Sequence, residues 1–169
     1  VKTQRILVAY GSKHGATAGI AEEIAHTLDG DGFETEVVPA REVHDVERFD
    51  AVVLGGSLYA GHWHRDAVRC AHRNEAALTH RPVWLFSSGP VDSSAEQHEI
   101  PPVPSAAKEL RRLHAKGHAT FGGSITAETP GFVARTLVKH NKAGDFRNPE
   151  QIQRWAHRLG AELRAGEKA

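Results

Sequence analysis

What most constrains this chain is an alternation. Short apolar runs ending on glycine, serine or proline take turns with stretches whose apolar residues recur at helical spacing. Arg5-Ile-Leu-Val-Ala-Tyr10 runs into Gly11 and reads as a buried parallel strand. Ile20, Ala21, Ile24 and Leu28 follow at a helical period, and Gly30 and Gly32 end that helix. Phe33 to Val38, closed by Pro39, predicts a second strand, and Asp50 to Gly55 a third. A helix from about His64 to Leu78 leads to a fourth strand, Pro82 to Ser87. Ala106, Leu110 and Leu113 mark another helix, and His118 to Ser124 the fifth strand. The final helix has the fullest signal. Asn148 stands as N-cap, Pro149 takes the first helical position, and Ile152, Trp155, Ala156, Leu159 and Leu163 line one face.

Five strands separated by helices predict an α/β fold, a five-stranded doubly wound parallel sheet with helices on both sides in three layers, α/β/α. At 169 residues, 40% hydrophobic and 25% charged, the chain reads as a single domain over 1–169 with its own core. In such sheets ligands sit beyond the carboxyl ends of the strands, near the point where strand order reverses. The loops that matter are therefore 11–17, 55–64 and 87–104. Each begins with Gly or Ser, residues that let backbone amides come close to a ligand.

Charge and cysteine narrow the classes further. The 21 basic and 21 acidic side chains cancel, which argues against a basic nucleic-acid binder and against a strongly acidic electron carrier. The single cysteine, Cys70, excludes an intrachain disulfide framework and a zinc site with paired thiolates. It lies among Ala67, Val68 and Ala71 and reads as inert core. No apolar run is long enough to span a membrane and no secretory leader is visible, so the expected address is cytoplasmic. His62 and His64 form a His-x-His pair, but no acidic or thiol cluster nearby completes it, and no metal is expected.

The first loop, Gly11-Ser-Lys-His-Gly-Ala-Thr17, puts hydroxyls and amides where a helix N-terminus offers unpaired N–H groups and a positive dipole end. That suits a phosphate. It is neither a Walker A loop nor G-x-G-x-x-G. The end of strand two, Val37-Val-Pro-Ala40, lacks the acidic residue that would hold a dinucleotide ribose, although Glu36 lies just inside. A monophosphate is the better match. In isolation the loop also reads as an ordinary polar turn with Thr17 capping the helix.

Together with the strand pattern, this loop resembles the phosphate loop of the flavodoxin family, T/S-x-T-G-x-T. Ser12, Gly15 and Thr17 match, and His14 replaces the middle hydroxyl. The second loop, Gly55-Gly-Ser-Leu-Tyr-Ala-Gly-His-Trp-His64, is similar to the S-I-x-Y-G-H-x-H loop of the menaquinone-dependent protoporphyrinogen oxidases, which share the flavodoxin fold. Ser57, Gly61, His62 and His64 align, and the tyrosine is displaced by one position to Tyr59. Gly122-Gly-Ser, the stretch to Gly144 and a closing helix with Trp155 extend the resemblance over nearly the whole chain.

The resemblance implies noncovalent FMN. By position, Ser12, Lys13, His14, Gly15, Ala16 and Thr17 would cradle its phosphate. Ser57, Leu58, Tyr59, Ala60, Gly61 and His62 would border the isoalloxazine, and Ser88, Gly89, Pro90 and Val91 its other edge. His62 and Tyr59 are the implied catalytic residues, His62 or loop amides stabilising charge on the reduced ring's N1–C2=O edge. The implied activity is an FMN-dependent oxidoreductase moving electrons from a reduced tetrapyrrole to a quinone. Two alternatives stand beside it: a flavodoxin-type electron carrier, and a flavin-free interaction module of the same fold. Residues 89–104 contain no aromatic, so Tyr59 or Trp63 would stack on the ring and leave its other face open to a planar substrate. Tyr59 also reads as a surface aromatic, and Trp63 as a packing residue beneath the loop.

Two further segments bear on partners. Asp92, Glu96 and Glu99 make the third loop acidic, where the similar oxidases carry a longer basic insertion. Residues 129–147 read as a short helix capped by Thr129, opened by Pro130 and ended by Gly144. Its apolar side is Phe132, Val133 and Leu137, and Arg135, Lys139, Lys142 and Arg147 are its basic residues. It reads either as a peripheral contact with an anionic membrane or as a crossover helix with a solvated basic side.

Overall fold

The computed structural model describes residues 3–12, 15–89, 100–122, 124–125, 144–145 and 148–167. In chain order these form β1 (Arg5–Gly11), α1 (Ala16–Gly30), β2 (Glu34–Pro39), β3 (Ala51–Tyr59), β4 (His62–Trp63), α2 (Arg65–Arg73) and α3 (Glu75–Leu78). There follow β5 (Val83–Ser88), α4 (Pro104–Arg112), β6 (Gly117–Phe121), β7 (Ser124–Ile125), β8 (Gly144–Asp145) and α5 (Pro149–Glu167). The main sheet runs β2-β1-β3-β5-β6, every neighbouring pair parallel, as the alternation predicts. Strand order reverses at β1, so the crevice between β1 and β3 is the switch point.

Period-two alternation sorts the core into two layers. Ile6, Val8, Val53, Phe86 and Phe121 point to the side covered by α1 and α5, where they meet Ile20, Ile24, Ile152 and Leu159. Leu7, Ala9, Val52, Leu54 and Leu85 point the other way, onto Ala67, Cys70 and Ala71 of α2 and Ala106 of α4. Asn148 caps α5 as its sequence position predicts: its Oδ1 accepts the Gln151 N–H at 3.2 Å.

Four expectations need correction. The third strand does not stop at Gly55 but continues to Tyr59. The expected single helix to Leu78 breaks at Asn74, whose side-chain amide donates to Cys70 O at 3.0 Å and competes with the helical ladder. The fifth strand ends at Phe121, and Ser124–Ile125 pairs antiparallel with Gly144–Asp145. Gly144 is therefore in a strand rather than at a helix end, and residues 129–143, 146 and 147 lie outside the described residues.

The strand-end glycines also work differently from expectation. A Cβ on Gly55 would sit 2.0 Å from the Phe86 ring, and one on Gly56 2.6 Å from the Trp63 indole. A Cβ on Gly11 would meet the first turn of α2 at 2.9 Å. These glycines let aromatic rings and a helix end cross the strands closely. They serve packing within the chain.

Candidate functional site

Three segments converge at the carboxyl edge of β1, β3 and β5. The first is the turn into α1. Ser12 Oγ accepts the Gly15 N–H at 3.0 Å, which commits that amide to the loop and leaves the Ser12 hydroxyl proton free to donate elsewhere. Gly15 holds φ +87°, and a Cβ there would meet nothing within 4 Å, so glycine is required by backbone conformation rather than by space. Gly15, not Thr17, is the N-cap; among the described residues no side chain caps the helix, and no acidic residue occupies its first turn. The N–H groups of Ala16, Thr17 and Ala18 therefore form the positive end of the helix. Thr17 lies inside the helix, fully buried, and its Oγ1 has no hydrogen-bond partner among the described residues. A buried hydroxyl without a partner costs about 1–3 kcal/mol, and an oxygen-rich anion at this turn would relieve it. Lys13 and His14 lie outside the described residues.

The second segment is a β-hairpin where a loop was expected. β3 outruns its neighbours: Gly11 of β1 pairs with Gly56, and Ser88 of β5 with Ser57. Leu58 and Tyr59 continue past that edge and pair antiparallel with Trp63 and His62. Ala60 (φ +50°) and Gly61 (φ +77°) make the two-residue turn, with positive φ at both central positions as in a type I′ hairpin. Trp63 anchors the hairpin. It is buried, its indole N–H donates to Phe86 O at 3.2 Å, and its backbone N–H donates to Ser105 Oγ of α4 at 2.9 Å. Trp63 is therefore the packing residue of the two readings, unavailable for stacking. Leu58 packs beside it on the α2/α4 side.

Residues directly paired across strands share a face, so Tyr59 and His62 stand together on the hairpin's other side. Tyr59 is 50% exposed. The structure thus brings together the two residues singled out for catalysis. His64 does not join them: its Nδ1 accepts the Asp66 N–H at 3.1 Å and caps α2, which puts the ring proton on Nε2.

The third segment begins at Ser88, in β5 and buried, and Gly89, which extends the ladder by donating its N–H to Phe121 O at 2.8 Å. Gly89, at φ +125°, lies against Leu58 of the hairpin. Pro90, Val91 and the carboxylates Asp92, Glu96 and Glu99 fall outside the described residues. Beneath this segment, His118 Nε2 meets Ser87 Oγ at 2.8 Å, and burial pushes its pKa down to about 4, so the ring is neutral. Burial raises the Cys70 thiol pKa, as for an inert core cysteine. Among the described residues no three His, Cys, Asp or Glu side chains gather as metal ligands, and no helix is long and apolar enough to cross a membrane.

A cavity of about 520 Å³ lined by Gln4, Asp50, Trp84, Lys116 and Glu162 lies at the amino edge, away from the three segments. Sequence reasoning missed Ser105, because a serine one residue inside a helix gives no sign of its partner. The packing reading of Trp63 was available from sequence, but its partners, Phe86 O and Ser105 Oγ, were not.

Residues 7–150 match the family described as Flavodoxin domain. Over 99% of its length the chain superposes on the rubredoxin oxygen:oxidoreductase of the anaerobe Desulfovibrio gigas, with a TM-score of 0.67 and 12% identity, spanning 38% of that longer chain. Flavodoxin 2 of Bacillus cereus is similar over 94% of this chain and 98% of its own, with a TM-score of 0.61 and 20% identity. The FMN-bound flavodoxin of Fusobacterium nucleatum is similar over 95% and 99%, with a TM-score of 0.54 and 16% identity. At these identities the solved structures speak to the fold.

Proposed function

The chain belongs to the flavodoxin domain family, and from that premise we propose that it binds FMN at the carboxyl edge of β1, β3 and β5 and transfers electrons through it. The observation that carries the reading is the buried Thr17 hydroxyl at the first turn of α1, which has no hydrogen-bond partner among the described residues. FMN in the Fusobacterium nucleatum flavodoxin supports the choice of ligand. Ser12 and Thr17 would donate hydroxyl hydrogen bonds to the phosphate, and the amides of Ala16, Thr17 and Ala18 would add theirs. Tyr59 would lie against the ring, with His62 beside it as a donor to the edge where negative charge develops. When bound, the flavin supplies reversible one- and two-electron chemistry; the protein supplies binding and orientation.

A second reading is the oxidase, a tetrapyrrole-to-quinone enzyme. The Gly61-His62-x-His64 hairpin with its exposed Tyr59 favours it, since an exposed aromatic beside a flavin edge suits a planar substrate. The displaced tyrosine and the acidic third loop weigh against it. The electron-carrier reading therefore takes precedence.

Titration of the purified chain with FMN and with riboflavin, followed by flavin fluorescence, tests the cofactor. FMN should bind on the order of 100-fold more tightly, the effect of two or more charge-assisted hydrogen bonds. Equal affinities would place the phosphate elsewhere, and absence of binding would favour the interaction module. Anaerobic mixing of the loaded protein with protoporphyrinogen and a menaquinone analogue separates the remaining two. Sustained turnover would replace the carrier reading by the oxidase.

A further inference from the structure

The zero net charge conceals a segregation. Residues 16–50 hold ten carboxylates against two arginines, and the compensating positive charge lies in the rest of the chain. On the sheet's α2/α4 side, where Ala40 and Val43 of that acidic segment accept from Arg73 at the far end of α2, the positive excess is carried by the two helices themselves. The two helices carry six Lys and Arg residues against Asp66 and Glu109. Glu109 is buried and already held by His72 Nε2 at 3.1 Å, with Arg112 at 3.7 Å. Arg65, Arg69, Lys108 and Arg111 are exposed, and none forms an ion pair with another described residue.

This cationic surface adjoins the candidate site. α2 starts one residue after β4, so Arg65 and Arg69 climb away from the hairpin one helical turn apart. α4 lies alongside, joined at the hairpin end by Trp63 N–H to Ser105 Oγ and further along by His72 to Glu109. Charges that close act as one field over roughly a Debye length of 8–10 Å.

We propose that the α2/α4 face is the docking surface for an acidic electron-transfer protein, which it holds against the hairpin. The proposal rests on the electron-transfer reading. Charge complementarity selects the partner's sign, and the absence of apolar anchors selects its class. Among the described residues the one exposed large hydrophobic side chain is Tyr59, on the hairpin, so neither helix offers the apolar stripe that membrane attachment needs. The polarity is the reverse of a carrier that docks through an acidic face.

The test uses the FMN-loaded full chain and two labelled probes, an acidic two-iron ferredoxin and a basic c-type cytochrome, with binding read by fluorescence anisotropy. The ferredoxin should bind at 20 mM salt and weaken about tenfold by 200 mM. Arg65→Glu with Arg69→Glu should weaken it about tenfold or more at low salt, and Arg65→Gln with Arg69→Gln by less. Arg154→Glu with Arg158→Glu changes net charge equally on exposed positions of α5 and should leave affinity within about twofold. Equal loss in both Glu pairs would overturn the proposal, since net charge alone would then explain binding. So would tighter binding of the cytochrome, abolished by neutralising Asp92, Glu96 and Glu99, or binding to phosphatidylglycerol vesicles without binding to ferredoxin. Repeating the titration without FMN separates the two levels: ferredoxin binding by a chain that takes up no flavin would sink the cofactor reading and leave the docking face standing.

Discussion

On the side of the sheet covered by α1 and α5, Phe86, Phe121 and Trp155 pack with centroids 5.6–6.4 Å apart above Ile6, Val8 and Val53. On the side covered by α2 and α4, polar pairs are threaded through the apolar layer: Ser87 with His118, Glu109 with His72, Asn74 with Cys70. His118 belongs to this second side because it pairs in register with Leu85. One side holds the fold mainly by area and shape, its polar pairs such as Trp84 with Glu162 and His157 with Asp31 lying outside the aromatic cluster. The other adds groups whose contribution depends on protonation and geometry. The hairpin and the cationic surface grow from that second side.

The largest expected effect tests the first side. Phe86→Ala should cost about 4 kcal/mol in urea unfolding, as for a large buried aromatic. Gly55→Ala alone should cost about 2–3 kcal/mol, because its methyl would enter the Phe86 ring. Added to Phe86→Ala, the same change should cost far less. Additive costs would mean that the ring does not lie across Gly55.

The second side should show itself in acid. His118 has a pKa of about 4 when folded and near 6.5 when unfolded, so the unfolded chain takes up its proton first. Its stabilising contribution is complete above pH 6.5 and is lost as pH falls toward 4, by about 2–3 kcal/mol. His118→Asn, which keeps a donor for Ser87, should flatten that slope in unfolding curves measured across the interval. An unchanged slope would move the acid sensitivity to another group.

At the carboxyl edge, where the two sides meet, Thr17→Val removes the unpartnered hydroxyl while keeping its shape. FMN should bind about 1–3 kcal/mol more weakly and riboflavin no differently, while the unliganded chain should be as stable or up to about 1 kcal/mol more so. A loss of unliganded stability would show that the hydroxyl already has a partner. The smallest effect belongs to the hairpin turn. Ala60→Gly should stabilise by about 0.5–1 kcal/mol, since Ala60 holds φ +50°. No gain in melting temperature would speak against the two-residue turn.

The strand-helix alternation and the Asn148 cap were legible because each is a local pattern with a single physical cause. The first loop was legible in its residues but not in its bonding, since nothing in Ser12-x-x-Gly15 announces that the hydroxyl takes the Gly15 amide. The hairpin was hidden by two glycines. Gly55 and Gly56 read as the end of a strand, yet they are where Phe86 and Trp63 cross it, a long-range fact that local propensity cannot carry. The charge segregation was open to inspection, but a whole-chain sum erased it; counting by segment recovers it.

Cys70 makes the polar side observable in time. Its sulfur is the chain's sole thiol, sealed beneath α2 at the joint where Asn74 interrupts the helix. While closed, the site presents neither an accessible sulfur nor a readily formed thiolate to an alkylating reagent. Every modification event therefore records an excursion that uncovers the inner face of α2. With fast-reacting reagent the labelling rate becomes the opening rate, and with slow reagent it reports how often the open form is populated. The molecule thus contains its own single-channel clock for the side that carries the hairpin.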